Sequence, residues 1–293
     1  MKKLVLLFLM VFVLSSVTKA QFEDRITKLL GTELTNYSTP LATMTGTYFN
    51  SGGYYSASVS KLFGFKVSLI GMMIFIPDDQ KTFKVNPYDG YNGDETSATF
   101  FGEKGAAIAG PTGFLVYPPG VNTSSIPAGI PQIAASTMGS EVMIRFLPTI
   151  AVEDVEANLF GFGLKHSISQ YLPLVPVDIA VQFMYNKFSI TSTDLDISTT
   201  NIAFNAHASK SLGPLIVYGG LQYESSSMDL DFIYQGDAAF GTSPGDKINL
   251  SLDGDNSFRV TIGAAVKLAV LVINADYNIG SQSAFVAGIN FEI

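Results

Sequence analysis

The chain has 293 residues, a formal net charge of −8 and no cysteine. Disulfides and thiolate metal sites are therefore excluded, and the acidic balance speaks against nucleic acid, which needs a basic face. Hydrophobic residues make up 47% and charged residues 14%, yet no stretch beyond the N-terminus offers the roughly twenty uninterrupted apolar residues of a spanning helix.

Residues 1–20 read as a secretory signal peptide: basic Lys2 and Lys3, an apolar run from Leu4 to Leu14, and small Ala20 at the cleavage position. No Cys follows, so no lipid anchor is expected. Residues 21–53 form an N-terminal helical segment. Phe22, Ile26, Leu29 and Leu30 share one helical face from Phe22 to Leu30. Pro40 opens a second helix through Phe49, capped by Ser38 or Thr39 and ended by Ser51-Gly52-Gly53. The segment is either a periplasmic extension or an internal plug.

Strands are expected over residues 54–293. Tyr54 to Lys61 and Phe65 to Ile76 form the first two. Pro77 to Gly139 is irregular: Asn86 to Gly90, Pro118-Pro119-Gly120 and Pro127 to Pro131 carry loop chemistry. Short strands fit Ala98 to Phe101 and Phe114 to Tyr117. From Glu141 onward, apolar and polar residues alternate, and a strand sends successive side chains to opposite sides. Val142, Ile144 and Phe146 oppose Glu141, Met143 and Arg145; Phe183 and Tyr185 oppose Gln182 and Asn186; Ile262 and Val266 oppose Thr261 and Lys267. Phe285, Ala287, Ile289, Phe291 and Ile293 share one side of the last segment, with Val286 the exception opposite.

Eight strands follow from Glu141. The first half is expected to add about four, giving an all-β, transmembrane antiparallel β-barrel of about 12 strands, with 10 to 14 as the range. Tight connections such as Ser211 to Pro214 alternate with a long acidic one, Ser226 to Asn256. Without Trp, the interfacial girdles fall to Tyr and Phe, including Tyr171, Tyr185, Tyr223, Tyr277 and Phe291.

The candidate lumen-lining residues are Glu141, Arg145, Lys165, Asp178, Gln182, His207, Glu224, Arg259, Lys267 and Asp276, joined by Glu292. They would line an aqueous path or pair with one another to fill a closed barrel. Met143, Met184, Ile216 and Val272 share that side and suit an apolar ligand. His207, Asn205 and Ser209 have the residue types of a lipid hydrolase but face the lumen, away from lipid, so no catalytic residue is assigned. His166 belongs at the rim. Asp89 to Asp94 and Asp253 to Asn256 carry oxygen ligands without the full calcium loop and its closing Glu, so turns are expected. No metal or cofactor is expected, and no enzymatic activity.

The C-terminal pattern Phe285-x-Ala287-x-Ile289-x-Phe291-x-Ile293 resembles the signal read by the outer-membrane barrel assembly machinery, although Ile293 stands where the pattern usually has an aromatic. Gly161 to Pro173 and Arg145-Phe146-Leu147-Pro148 resemble an uncharacterised family of Bacteroidetes-type outer-membrane barrels. The helical stretch ahead of the strands is similar in architecture to the hatch of long-chain fatty acid transporters. Together these imply an outer-membrane β-barrel of a Gram-negative bacterium that contacts lipid, engages the assembly machinery through Phe285, Ile289, Phe291 and Ile293, and binds no nucleic acid. It would serve as a porin-like channel or transporter for a small solute, hydrophobic ones included. The alternative is a structural or surface-interaction barrel with acidic extracellular loops.

Overall fold

The computed structural model describes residues 29, 31–85, 95–110, 113–152, 155–172, 174–235 and 243–293. The signal peptide, nearly all of the helix expected from Phe22 to Leu30, and Asp89 to Asp94 lie outside the described residues.

One helix, α1 (Gly31–Phe49), precedes the strands. It begins nine residues before the expected start at Pro40, which lies inside it. Thr39 and Thr43 donate side-chain hydrogen bonds to the carbonyls of Thr35 and Thr39, at 2.8 and 3.0 Å. These local bonds let a threonine-rich helix satisfy its hydroxyls in a buried setting. From Leu41 to Phe49 every residue is buried, so the helix is enclosed on all sides.

The main sheet is antiparallel. It contains β1 (Gly64–Phe75), β6 (Ser125–Thr137), β7 (Ser140–Val152), β8 (Val155–Ser167), β9 (Asp178–Thr191), β10 (Leu195–Leu212), β11 (Leu215–Ile233), β13 (Phe258–Leu268), β14 (Leu271–Ile279) and β15 (Ser283–Glu292). β15 returns to pair with β1, and β10 pairs with β11, so these ten strands close into a barrel. An eleventh, β12 (Lys247–Asp253), pairs only with the outer half of β11, outside the barrel wall.

The barrel thus has ten strands rather than about twelve. The eight expected from Glu141 onward are present; the first half adds two, not four. Tyr54 to Lys61 is not a strand, because Tyr54 and Tyr55 are both buried and the alternation fails. Pro127 to Pro131, expected as a loop, lies inside β6. The short strands β2 (Thr82–Lys84) with β3 (Thr96–Ala98), and β4 (Ala107–Gly110) with β5 (Gly113–Val116), form two small ribbons apart from the barrel.

Short turns gather at one rim: Met138-Gly139, Gly213-Pro214 and Ala269-Val270, beside the C-terminus. Met138 and Gly139 have φ of 51° and 75°, as a two-residue hairpin turn of the type matching strand twist requires. Residues 76–124 and the tall β11–β12 hairpin rise from the other rim. Between the rims, outward side chains such as Leu69, Phe160, Leu221, Ile262, Ile273 and Phe285 are exposed and apolar. Beyond Tyr223 the outer face of β11 turns polar with Ser225, Asp229 and Asp231.

Candidate functional site

The lumen is occupied by the chain's own residues 31–57. Their path follows from contacts taken in order. Near the long-loop rim, the Pro40 carbonyl accepts from Gln282 at 2.9 Å, and Thr43 Oγ1 accepts from the Asp255 backbone N–H at 2.9 Å. Deeper, Asn256 donates to Thr47 at 3.1 Å. At the short-turn mouth, the Ala57 N–H donates to Ser209 Oγ at 2.9 Å, and the Ser60 carbonyl accepts from the Gly139 N–H at 3.0 Å. α1 therefore enters at the long-loop rim, and the segment after it leaves at the opposite one.

The two halves of the interior differ. Towards the long-loop rim, α1 packs into an apolar core: Leu34, Tyr37, Leu41, Met44 and Phe49 meet Ile70, Ile74, Ile130, Leu159 and Leu230. Towards the short-turn rim the wall is polar and charged. The last carbonyls of a helix lack intrahelical partners, and here the wall supplies them. Arg145 donates to the carbonyls of Phe49 at 2.6 Å and Ser51 at 2.9 Å, and to Gln132 Oε1 at 3.1 Å. Asn186 also donates to Phe49, Gln222 to the Asn50 carbonyl at 3.1 Å, and Gln182 to the Gly53 carbonyl at 3.2 Å. A cation at a helix C-terminus meets the negative end of its dipole.

Beside this cap, Arg259 forms a two-point pair with Glu224, Nη2 to Oε1 at 2.7 Å and Nε to Oε2 at 3.2 Å. Both side chains are 1% exposed. Its third contact reaches Ser51 Oγ at 2.6 Å. Nearer the mouth, Glu141 sits between Lys165 at 2.9 Å and Lys66 at 3.1 Å. Lys66 also lies 4.7 Å from the Tyr55 ring centroid. Tyr55 donates to Glu292, which pairs with Lys267 at 2.6 Å. Tyr54 stacks on His207 with ring centroids 3.9 Å apart. Only glycine fits at position 220, since a Cβ there would collide with the Tyr54 hydroxyl and the His207 side chain.

The sequence-derived residues all lie on the inner side of the strands, in two settings. Glu141, Arg145, Lys165, Gln182, His207, Glu224, Arg259 and Asp276 are buried around the N-terminal segment. Asp178 is half-buried at the short-turn rim and Lys267 is exposed there. Asp276 accepts from Tyr218 at 2.7 Å and Asn278 at 2.6 Å. His207 Nδ1 lies 2.8 Å from Asn205 Oδ1, within the network beneath α1. His166 faces outward, bonded to Ser140 at 2.8 Å and Tyr171 at 3.0 Å. Asp253 to Asn256 breaks the outer strand between β12 and β13, and Asn256 there bonds Ser226 at 2.9 Å. Among the described residues, no group of three or more His, Cys, Asp and Glu could hold a metal ion. A cavity of about 450 Å³ opens at the short-turn mouth, lined by Ser58, Lys61, Ser167, Asp178, Ser209 and Lys210 among others.

The sequence did not reveal the residues of the occupant that the wall grips, chiefly Phe49, Asn50, Ser51, Tyr54 and Tyr55. The adjoining glycines and the tyrosine pair were the available signal.

Closed wall, apolar exterior and filled interior define a plugged antiparallel β-barrel. The chain belongs to a family of unknown function, DUF6588, whose model matches residues 1–293. No curated protein matches it. Three solved structures are similar at 10% identity. One is Ail, the attachment invasion locus protein of Yersinia pestis, with a TM-score of 0.32, covering 80% of this chain and 100% of its own. Another is the translocator domain of the autotransporter NalP from Neisseria meningitidis, with a TM-score of 0.33 and coverage of 88% and 99%. The third is the outer membrane protease OmpT from Escherichia coli, with a TM-score of 0.31 and coverage of 79% and 96%. Likeness at that distance assigns no activity to this chain.

Proposed function

We propose that this protein is an outer-membrane transport barrel closed in its resting state by its own N-terminal segment, which must shift before a small solute can pass. The observation that carries this reading is the way the occupant is held. The ten strands close through their own backbone ladder, whereas residues 49–53 are gripped by side chains of Arg145, Gln182, Asn186, Gln222 and Arg259. Side-chain bonds of this kind can break while the wall stays intact. In this reading, the signal peptide directs export, and the outward residues Phe285, Ile289, Phe291 and Ile293 of the last segment engage the assembly machinery. The apolar band then meets lipid. The expected affiliation with Bacteroidetes-type barrels, and the functional parallel to fatty acid transporters, belong to this proposal.

Proteoliposome swelling tests it. The native chain is expected to pass small sugars slowly, and Arg259→Ala with Ser51→Ala faster. Equal rates in native, variant and empty vesicles would remove the transport reading.

A surface-interaction role is favoured by a separate observation. The outer face of the β10–β11–β12 extension sets Asp196 opposite Asp231, with Asp229 one row away and Asp253 beyond it. Directly opposed like charges oppose pairing, so this face serves an external contact better than it serves folding. Trimming Ser226 to Asp255 is expected to leave the heat-resistant barrel on a gel while abolishing cell-surface adhesion. Unchanged adhesion would retire this second role.

A further inference from the structure

We propose that the barrel wall contains a permanent lateral seam between β6 and β7, opening from the apolar half of the lumen into the membrane, and that it admits the alkyl chain of a free single-chain amphiphile. The proposal deepens the transport reading and rests on it.

The first observation is a missing ladder. β6 pairs with β7 only from Gln132 to Thr137, against Ser140 to Arg145. Among the described residues, 125–131 of β6 pair with β1 alone, and the outer part of β7 with β8 alone.

The second observation is that the edges of this gap are chemically blunted. Thr137 and Ser140 close a two-residue turn, so they exchange backbone hydrogen bonds. Strand parity then aims the backbone groups of every second residue of β6 at β7: 137, 135, 133, 131, 129 and 127. Pro131 and Pro127 hold two of the three positions beyond the ladder, and neither has an N–H. The third is Gly129, whose carbonyl accepts from the Tyr48 hydroxyl of α1. On β7, the same counting from Ser140 gives Phe146 and then Pro148, again without an N–H. The register with β8 shifts between Leu147 and Ile150. An unpaired edge in lipid is penalised for every unsatisfied group, and proline removes the donors. Three prolines on facing edges make this a wall segment suited to remain open.

The third observation fixes depth and lining. Pro131 is level with Leu69 and, across it, Ile289; Pro127 is level with Met73 and Phe285. Leu69, Ile289 and Phe285 face outward and are exposed, so the seam lies within the apolar band, in the half nearer the long-loop rim. Behind it stand Tyr48, Phe49, Ile130 and Leu159, with Leu147 packed against them. An alkyl chain passing inward would meet only apolar side chains and the Tyr48 hydroxyl. Tyr48 therefore acts as the bolt, tying α1 to the one carbonyl of the β6 edge that would otherwise lack a partner.

The test uses the full chain in phospholipid vesicles, with dansyl-labelled undecanoate as the probe. Pro127→Val with Pro131→Val restores two donors and lets β6 zip towards β7. Probe entry is expected to slow roughly tenfold, the size of effect that about 1.4 kcal/mol gives, and amide exchange at Gly129 and Phe146 to slow with it. Tyr48→Phe is expected to speed entry. Heat-dependent gel mobility verifies each barrel, and Pro127→Val alone serves if the double variant does not fold. Unchanged entry in the valine variants overturns the proposal. So does photo-crosslinking from position 146 that captures only bilayer phospholipid and is not competed by the probe. Sugar permeability is read separately, so loss of that signal with seam-dependent probe entry intact would defeat the transport reading and not the seam.

Discussion

Glu224→Ala is expected to destabilise the protein by about 3–5 kcal/mol, the range for breaking a buried pair from one side. The variant leaves the Arg259 guanidinium with 1% of its side chain exposed and without the two oxygens that now receive it. Gln222 and Asn256 would also lose a carboxylate acceptor, at 2.6 and 3.2 Å. The check is equilibrium unfolding in detergent by urea, read from the loss of strand signal. The combined variant Glu224→Gln with Arg259→Met separates charge from packing. It should lose less than Glu224→Ala, because replacing both ions avoids the unpaired charge. A larger loss in the double variant would show that the pair contributes net stability.

Arg145→Ala is expected to loosen the lumen occupant while leaving the wall closed. Arg145 is fully buried, and its three hydrogen bonds go to neutral oxygens at Gln132, Phe49 and Ser51. Hydrogen bonds to a charged group contribute about 1.5–3 kcal/mol each, so losing the two that hold the N-terminal segment should weaken its seat by roughly 3–5 kcal/mol. Protease sensitivity within residues 31–57 should rise, and vesicle permeability with it, while heat-dependent gel mobility is retained. Arg145→Lys keeps the charge but not the planar fork and should fall between. A segment that remained protected in Arg145→Ala would show that the apolar contacts of α1 hold it without the cap.

The wall was legible from Glu141 onward because each strand there has one apolar and one polar side. Val286, the exception noted in the last strand, is an inward residue packed against the apolar core. The first half was obscured by chemistry that imitates loops. Pro127 and Pro131 read as breakers, but their missing N–H groups face the side where no ladder exists. Tyr54 to Lys61 has strand-forming residues, yet its tyrosines are claimed by His207 and Glu292 inside the barrel. Pro40 looked like a helix start because proline suits a first turn; threonine hydroxyls carry the helix through it. The charges at Arg145, Glu224 and Arg259 could be placed on the inner face, but alternation cannot show what they meet. Their partners lie about a hundred residues or more away along the chain, on a segment with no periodic pattern of its own.

α1 enters the barrel at one mouth, and the chain emerges at the other before β1 begins. The circle of strands is completed only when β15, near the end of the chain, reaches β1. Residues 31–57 must therefore already be threaded when the last hydrogen bonds form, or else be drawn through a finished ring against its polar waist. The first course makes the N-terminal segment a mandrel around which the cylinder is wound. Insertion and sealing would then be a single event during biogenesis, and a nascent barrel would never stand open across the membrane.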